Sequence, residues 1–62
     1  MTLGQTIKGR RASLGIEQIE LARQINSHRG RISRIENDLV DPPFSVAKKL
    51  ATILDFSLDS LS

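Results

Sequence analysis

Apolar residues recur at helical spacing in four successive stretches, and a shorter fifth closes the chain. Leu3, Ile7 and Leu14 share one side of a first helix, which Gly15 stops near its C-terminal end. In a second, Gln18, Leu21, Ala22 and Ile25 lie on one face. Asn26 follows, a residue that tolerates the left-handed backbone of a tight turn. The third begins near Ser27 or His28 and buries Ile32 and Ile35. Asn37 to Pro43 reads as a loop, because Pro42-Pro43 cannot carry a helix across it. Phe44, Ala47, Leu50, Ala51 and Leu54 form one stripe of a fourth helix. Ser57 suits the cap of a final turn that packs Leu58 and Leu61. No stretch shows sustained strand alternation. The pattern predicts an all-α fold of five short helices in a single domain, residues 1–62.

Residues 17–36 change the picture from packing to chemistry. Two helices joined by about four residues, with a turn former between them, make a helix-turn-helix. At 100° per residue, Ile32 and Ile35 point to one side of the third helix, which runs from about His28 to Glu36. Arg29, Gly30, Ser33 and Arg34 project to the other. Arg can bond guanine through two N–H groups, and small residues let a helix approach a major groove. A glycine inside a helix costs roughly 1 kcal/mol relative to Ala, so Gly30 needs such a reason. Solubilising an exposed helix is the plainer role for Arg29, Arg31 and Arg34; the turn ahead of them favours contact with DNA.

Charge sharpens this expectation. Residues 1–34 hold seven basic side chains (Lys8, Arg10, Arg11, Arg23, Arg29, Arg31, Arg34) against Glu17 and Glu20, a net of +5. Residues 35–62 hold Lys48 and Lys49 against five acidic side chains, a net of −3. That asymmetry can steer a polyanion to one face, with Arg10, Arg23, Arg29, Arg31 and Arg34 as candidate phosphate contacts. With 62 residues the chain has room for one small core. The absence of cysteine removes disulfides and thiolate metal sites. His28, the sole histidine, has no second His or Cys to join it in a metal site. No cofactor, metal or catalytic constellation is expected, and the chain does not read as an enzyme. No apolar run approaches the roughly 20 residues of a membrane helix, and Met1 to Arg11 lacks the apolar stretch of a signal peptide. A cytoplasmic protein is expected.

The stretches Leu14-Gly15-Ile16-Glu17-Gln18, Glu20-Leu21-Ala22, Ile32-Ser33-Arg34-Ile35-Glu36 and Phe56-Ser57-Leu58-Asp59-Ser60-Leu61 stand in order across Leu3 to Leu61. In them the chain resembles the lambda-repressor-like, or Xre/Cro, helix-turn-helix domains. The resemblance implies a compact five-helix domain with helices 2 and 3 as the helix-turn-helix. It implies base reading by His28, Arg29, Gly30 and Arg34. Gln18 would touch a phosphate while bracing the recognition helix, and Arg31, Ser33 and Asn37 would meet phosphates. Arg11 and Glu36 would form a structural ion pair between the first and third helices. Three positions depart from the family pattern: Glu17 replaces the usual Thr, Ser or Asn cap, Ser27 replaces an apolar turn residue, and Asp38 sits where Gly is usual. Leu39, Val40 and Asp41 replace a loop that is commonly basic or polar.

The function this implies is a sequence-specific regulator of transcription, a repressor above all, bacterial or phage-encoded and associated with the nucleoid. The alternative is a protein-interaction or antitoxin-like module on the same fold, which the acidic and apolar loop keeps open. One recognition helix reads only a few base pairs, so a homodimer on a pseudo-palindromic double-stranded operator is expected. Leu39, Val40, Phe56, Ser57 and Leu58 are its candidate contacts, with a second protein partner also open.

Overall fold

The computed structural model describes residues 1–58 and holds four helices: α1 (Leu3–Ser13), α2 (Gln18–Gln24), α3 (Arg29–Glu36) and α4 (Phe44–Leu54). No strand occurs among the described residues. Local chemistry starts each helix. Thr2 caps α1: its hydroxyl accepts the Gln5 N–H at 3.1 Å, and Gln5 Oε1 accepts the Thr2 N–H at 3.0 Å. Glu17 stands at the cap of α2 without a side-chain bond to it. Pro43 precedes α4, whose first turn needs no N–H from it.

All four helices stop in the same way. Gly15, Asn26, Asp38 and Asp55 take left-handed φ values of 70°, 56°, 60° and 57°. The next N–H then reaches back five residues, from Ile16 to Arg11, Ser27 to Ala22, Leu39 to Arg34 and Phe56 to Ala51, at 2.8–3.0 Å. This return bond satisfies carbonyls that a helix end leaves unpaired. The left-handed backbone at Asp38 is one that glycine would adopt without strain.

Ile7, Leu21, Ala22, Ile25, Ile32, Ile35, Leu50 and Leu54 form the core, flanked by half-buried Leu3, Ile16, Val46, Ile53 and Phe56. The core contains residues from all four helices and from the turn after α2. Four expectations need correction. The recognition helix begins at Arg29, not at His28, which is its cap. Leu14, assigned to the α1 stripe, is the C-terminal cap and is exposed. Phe44, assigned to the α4 stripe, is 71% exposed. It opens α4, and its ring lies 5.5 Å from the Lys48 ammonium. The fifth helix is not among the four. Asp55 ends α4, Leu58 stands in a 3-10 turn just after Ser57, and the rest of that final turn lies outside the described residues. Leu61, assigned to that turn, lies outside them.

The start of α1 is held against the end of α3. Thr2 Oγ1 donates to Asp38 Oδ2 at 2.8 Å. Gly4 is buried beside it, and a Cβ there would collide with the Ile35 carbonyl oxygen, lie 2.8 Å from that of Glu36 and 2.6 Å from Asp38 Oδ1. Two of these are backbone atoms that cannot swing away. Gly9, one and a half turns on, has open space where a Cβ would go. The same substitution in the same helix should therefore have opposite signs. Gly9→Ala should stabilise by about 0.5–1 kcal/mol through helix propensity. Gly4→Ala should destabilise, because overpacking of about 1–3 kcal/mol exceeds that gain. Urea melts of both variants check this, and a stabilised Gly4→Ala would show that α1 does not approach α3 so closely.

Candidate nucleic-acid interface

The turn between α2 and α3, residues 25–28, sets the two helices against each other. On its inner side α3 buries Ile32, Ile35 and Glu36. Arg29 and Arg34 are exposed, and Gly30, Arg31 and Ser33 are half-buried. The side chains of Arg29, Arg31 and Arg34 make no hydrogen bond or ion pair among the described residues. Three cations thus stand on one eight-residue helix with their charges unmatched.

The inner side carries the most specific geometry. Glu36, with 1% of its side chain exposed, receives Arg11 Nε at 2.7 Å on Oε2. Arg11 Nη2 donates to Oε1 at 3.3 Å, and Gln18 Nε2 donates to the same oxygen at 3.0 Å. Arg11 Nη1 donates to the Ile16 carbonyl at 2.8 Å. One carboxylate therefore joins the end of α3 to α1 and to the first residue of α2, and its two oxygens are both paired. A buried charge without partners would not be tolerated here. Gln18 is committed through its amide N–H to bracing α3, and stands half-buried at the N-terminus of α2.

At the other end of α3 the His28 Nδ1 accepts the Arg31 N–H at 3.2 Å. The imidazole occupies the place that a Ser or Asp oxygen usually fills. Asn37 closes the helix, its Nδ2 donating to the Ser33 carbonyl at 2.9 Å. Arg10 is placed elsewhere: its Nε donates to the Leu54 carbonyl at 2.9 Å, at the end of α4. Charge counting alone gave no hint of that use, since a guanidinium suits a helix C-terminus as well as a phosphate. Arg23 lies 3.4 Å from Glu20 on the exposed side of α2. Among the candidate contacts between copies, Leu39 (71%) and Val40 (42%) are exposed, as is Ser57. Phe56 is half-buried against the core and Leu58 is half-buried. Sequence reasoning gave Gly4 and Thr2 no role, although a Thr-x-x-Gln spacing is a recognised capping signal.

The Glu36 cluster that holds α3 to α1 and α2, and the basic residues on its outward side, define a helix-turn-helix of the DNA-binding type. The sequence profile of the helix-turn-helix family matches residues 7–61, and the chain belongs to that family, the lambda-repressor-like or Xre-like DNA-binding regulatory domains. Among curated proteins and solved structures, none matches the chain. No described helix is long and apolar enough to cross a membrane.

Removing Arg11 strands the Glu36 carboxylate, so Arg11→Met should cost about 3–5 kcal/mol. That is a large part of the 3–9 kcal/mol, roughly, available to a chain this short. Glu36→Met combined with Arg11→Met should recover much of the loss, because no charge is then left buried. Denaturant melts of the two single variants and the double form the cycle. Strictly additive losses would mean that the two side chains do not interact in solution.

Proposed function

We propose that this chain is a sequence-specific double-stranded DNA-binding regulator, acting as a repressor by occupying an operator that polymerase must use. The observation that carries this reading is the two-sided character of α3: one side locked by Glu36 and two isoleucines, the other offering Arg29 and Arg34 unpaired. Arg29, Gly30, Arg34 and the imidazole of His28 form the base-reading set. Gln18, Arg31, Ser33 and Asn37 contact phosphates and hold the register. Arg10, given its bond to Leu54, contributes less than its charge suggests. Such a partner places the protein in the cytoplasm, at the nucleoid.

Selection from random duplexes by the purified chain should return a short inverted repeat. Affinity for it should fall with salt at a log–log slope of roughly −3 to −5, for three to five phosphate contacts. Salt-independent association, or none at low salt, would sink the reading.

The working unit is a two-fold dimer, with half-sites about 34 Å apart on a pseudo-palindrome. Each base pair contributes roughly 1–3 kcal/mol, which for one short helix is too little against about 10⁶ competing sites. Exposed Leu39 and Val40, with Phe44 beyond the loop, are the apolar surface that supports this; Ser57, Phe56 and Leu58 are its flank. The same patch also favours the second reading, a protein-interaction or antitoxin-like module. Leu39→Asp should leave the melting temperature nearly unchanged, since the side chain is exposed, and should flatten a cooperative operator titration. Sedimentation should then show a shift to monomer. An unchanged dimer removes the loop from the interface, and tight binding of one chain to one half-site defeats the dimer itself.

A further inference from the structure

Successive residues of α4 turn through about 100°, so Ala47, Leu50, Ala51 and Leu54 share its buried side. Ser45, Lys48, Lys49 and Thr52 share the opposite, exposed side. There, with half-buried Ile53 and with Gln24 of α2, they line a shallow groove. Neither lysine has an acidic partner among the described residues, and together they are the whole positive charge of residues 35–62. The loop just before α4 has the complementary character. Leu39 and Val40 are exposed, and exposed Asp41 follows them with no hydrogen bond or ion pair among the described residues. Asp38, by contrast, is taken by Thr2.

We propose that the outward side of α4 packs on the same side of a second copy, antiparallel, about a two-fold axis at Ser45. This deepens the dimer proposed above, on which it rests, by naming the surface that receives the loop. One molecule carries both halves of the match, an acid beside uncovered apolar side chains and a basic groove, so the occupant is a second copy. In a two-fold contact residue i meets j and j meets i, and a residue on the axis meets itself. That rule selects the register. An axis at Lys48 or Lys49 would set like charges face to face, which opposes association. An axis at Ser45 sets a small neutral side chain against its copy, and Ser45 lies four residues after Asp41 and four before Lys49.

Asp41 of each copy then falls opposite Lys49 of the other. Pro43 is extended, at φ −55° and ψ 154°, so Asp41 stands further from Ser45 than a helical rise would put it. The long flexible stem of Lys49 takes up the difference. Leu39, Val40 and Phe44, the neighbours of Asp41 along the chain, are covered in the same contact.

Two single variants, alone and mixed, test this by sedimentation without DNA. Asp41→Lys sets Lys against Lys in its own dimer, and Lys49→Asp sets Asp against Asp. Each alone should be monomeric at concentrations where wild type is dimeric. Mixed one to one they should dimerise again, because each new charge then meets its opposite on the other chain. Ser45→Lys, which sets a charge against its own copy on the axis, should be monomeric. Lys8→Asp makes the same change in net charge on α1, at an exposed site without a partner among the described residues. It should leave the dimer intact, and mixing it with Asp41→Lys should restore nothing. All four positions are exposed, so helix content by circular dichroism should match wild type in every variant. A wild-type chain that stays monomeric up to about 1 mM overturns the proposal. So do variants that dimerise alone, a mixture that stays monomeric, rescue by Lys8→Asp, lost helix content, or a mixture that assembles beyond the dimer, since a two-fold contact closes. If any of these occurs while the chain still selects an inverted repeat, the α4 contact falls and the DNA-binding reading stands. If the mixture dimerises as expected but wild type selects no duplex, the contact stands and that reading falls.

Discussion

The carboxylate of Glu36 is the constraint on which the arrangement depends. It is buried and ionisable, and every hydrogen-bonding position it uses comes from a different segment from its own. An apolar trio of similar volume could fill the same space with no desolvation cost, and in general such a replacement is neutral or stabilising. Apolar contacts, however, tolerate rotation of a helix about its axis. Two paired oxygens, met by Arg11 from α1 and Gln18 from α2, do not. What this cluster supplies is therefore direction more than stability. Gly4 and the Thr2–Asp38 bond act at the same end of α3 and fix its distance from α1.

With its inner side fixed, α3 can carry an outward side that contributes nothing to the core. The charge asymmetry along the chain overstates the basic surface, because part of it is spent inside the protein. Arg11 is bound to Glu36 and Ile16, and Arg10 ties α1 to the end of α4. What remains concentrated is the set on α3 itself. Exposed Leu39, Val40 and Phe44 lie just beyond it, in and after the loop that follows, whereas Met1, Leu14 and Ile19 are exposed elsewhere. Unmatched cations and one group of uncovered apolar side chains thus come from adjoining stretches of sequence.

Helix order, the turn at Asn26 and the loop at 37–43 were legible because backbone preferences and apolar periodicity are local properties. Periodicity failed at helix ends. Phe44 and Leu14 have the right angular position but stand where no neighbouring helix reaches them, and spacing carries no information about that. The role of His28 as a cap was hidden for another reason: imidazole is an uncommon acceptor at a helix start, and its polar character also suits a reader of bases. Gly4 was invisible because a close approach between helices distant in sequence is a tertiary fact. The ion pair of Arg11 and Glu36 came from family resemblance, since no local pattern links residues that far apart.

The left-handed stops have a kinetic side. Three of them use Asn or Asp where glycine would be strain-free, so the ends of the helices are written into the chain itself and do not wait for neighbours. The rods that collapse have nearly fixed lengths before they meet, and α2 meets α3 across a turn of four residues, a short loop to close. The contacts of α1 are different in kind. Arg11 must find a partner 25 positions away and Arg10 one 44 positions away. Of the four helices α1 is thus expected to dock last: its seat on α3 needs residues up to Asp38, and its seat on α4 needs Leu54.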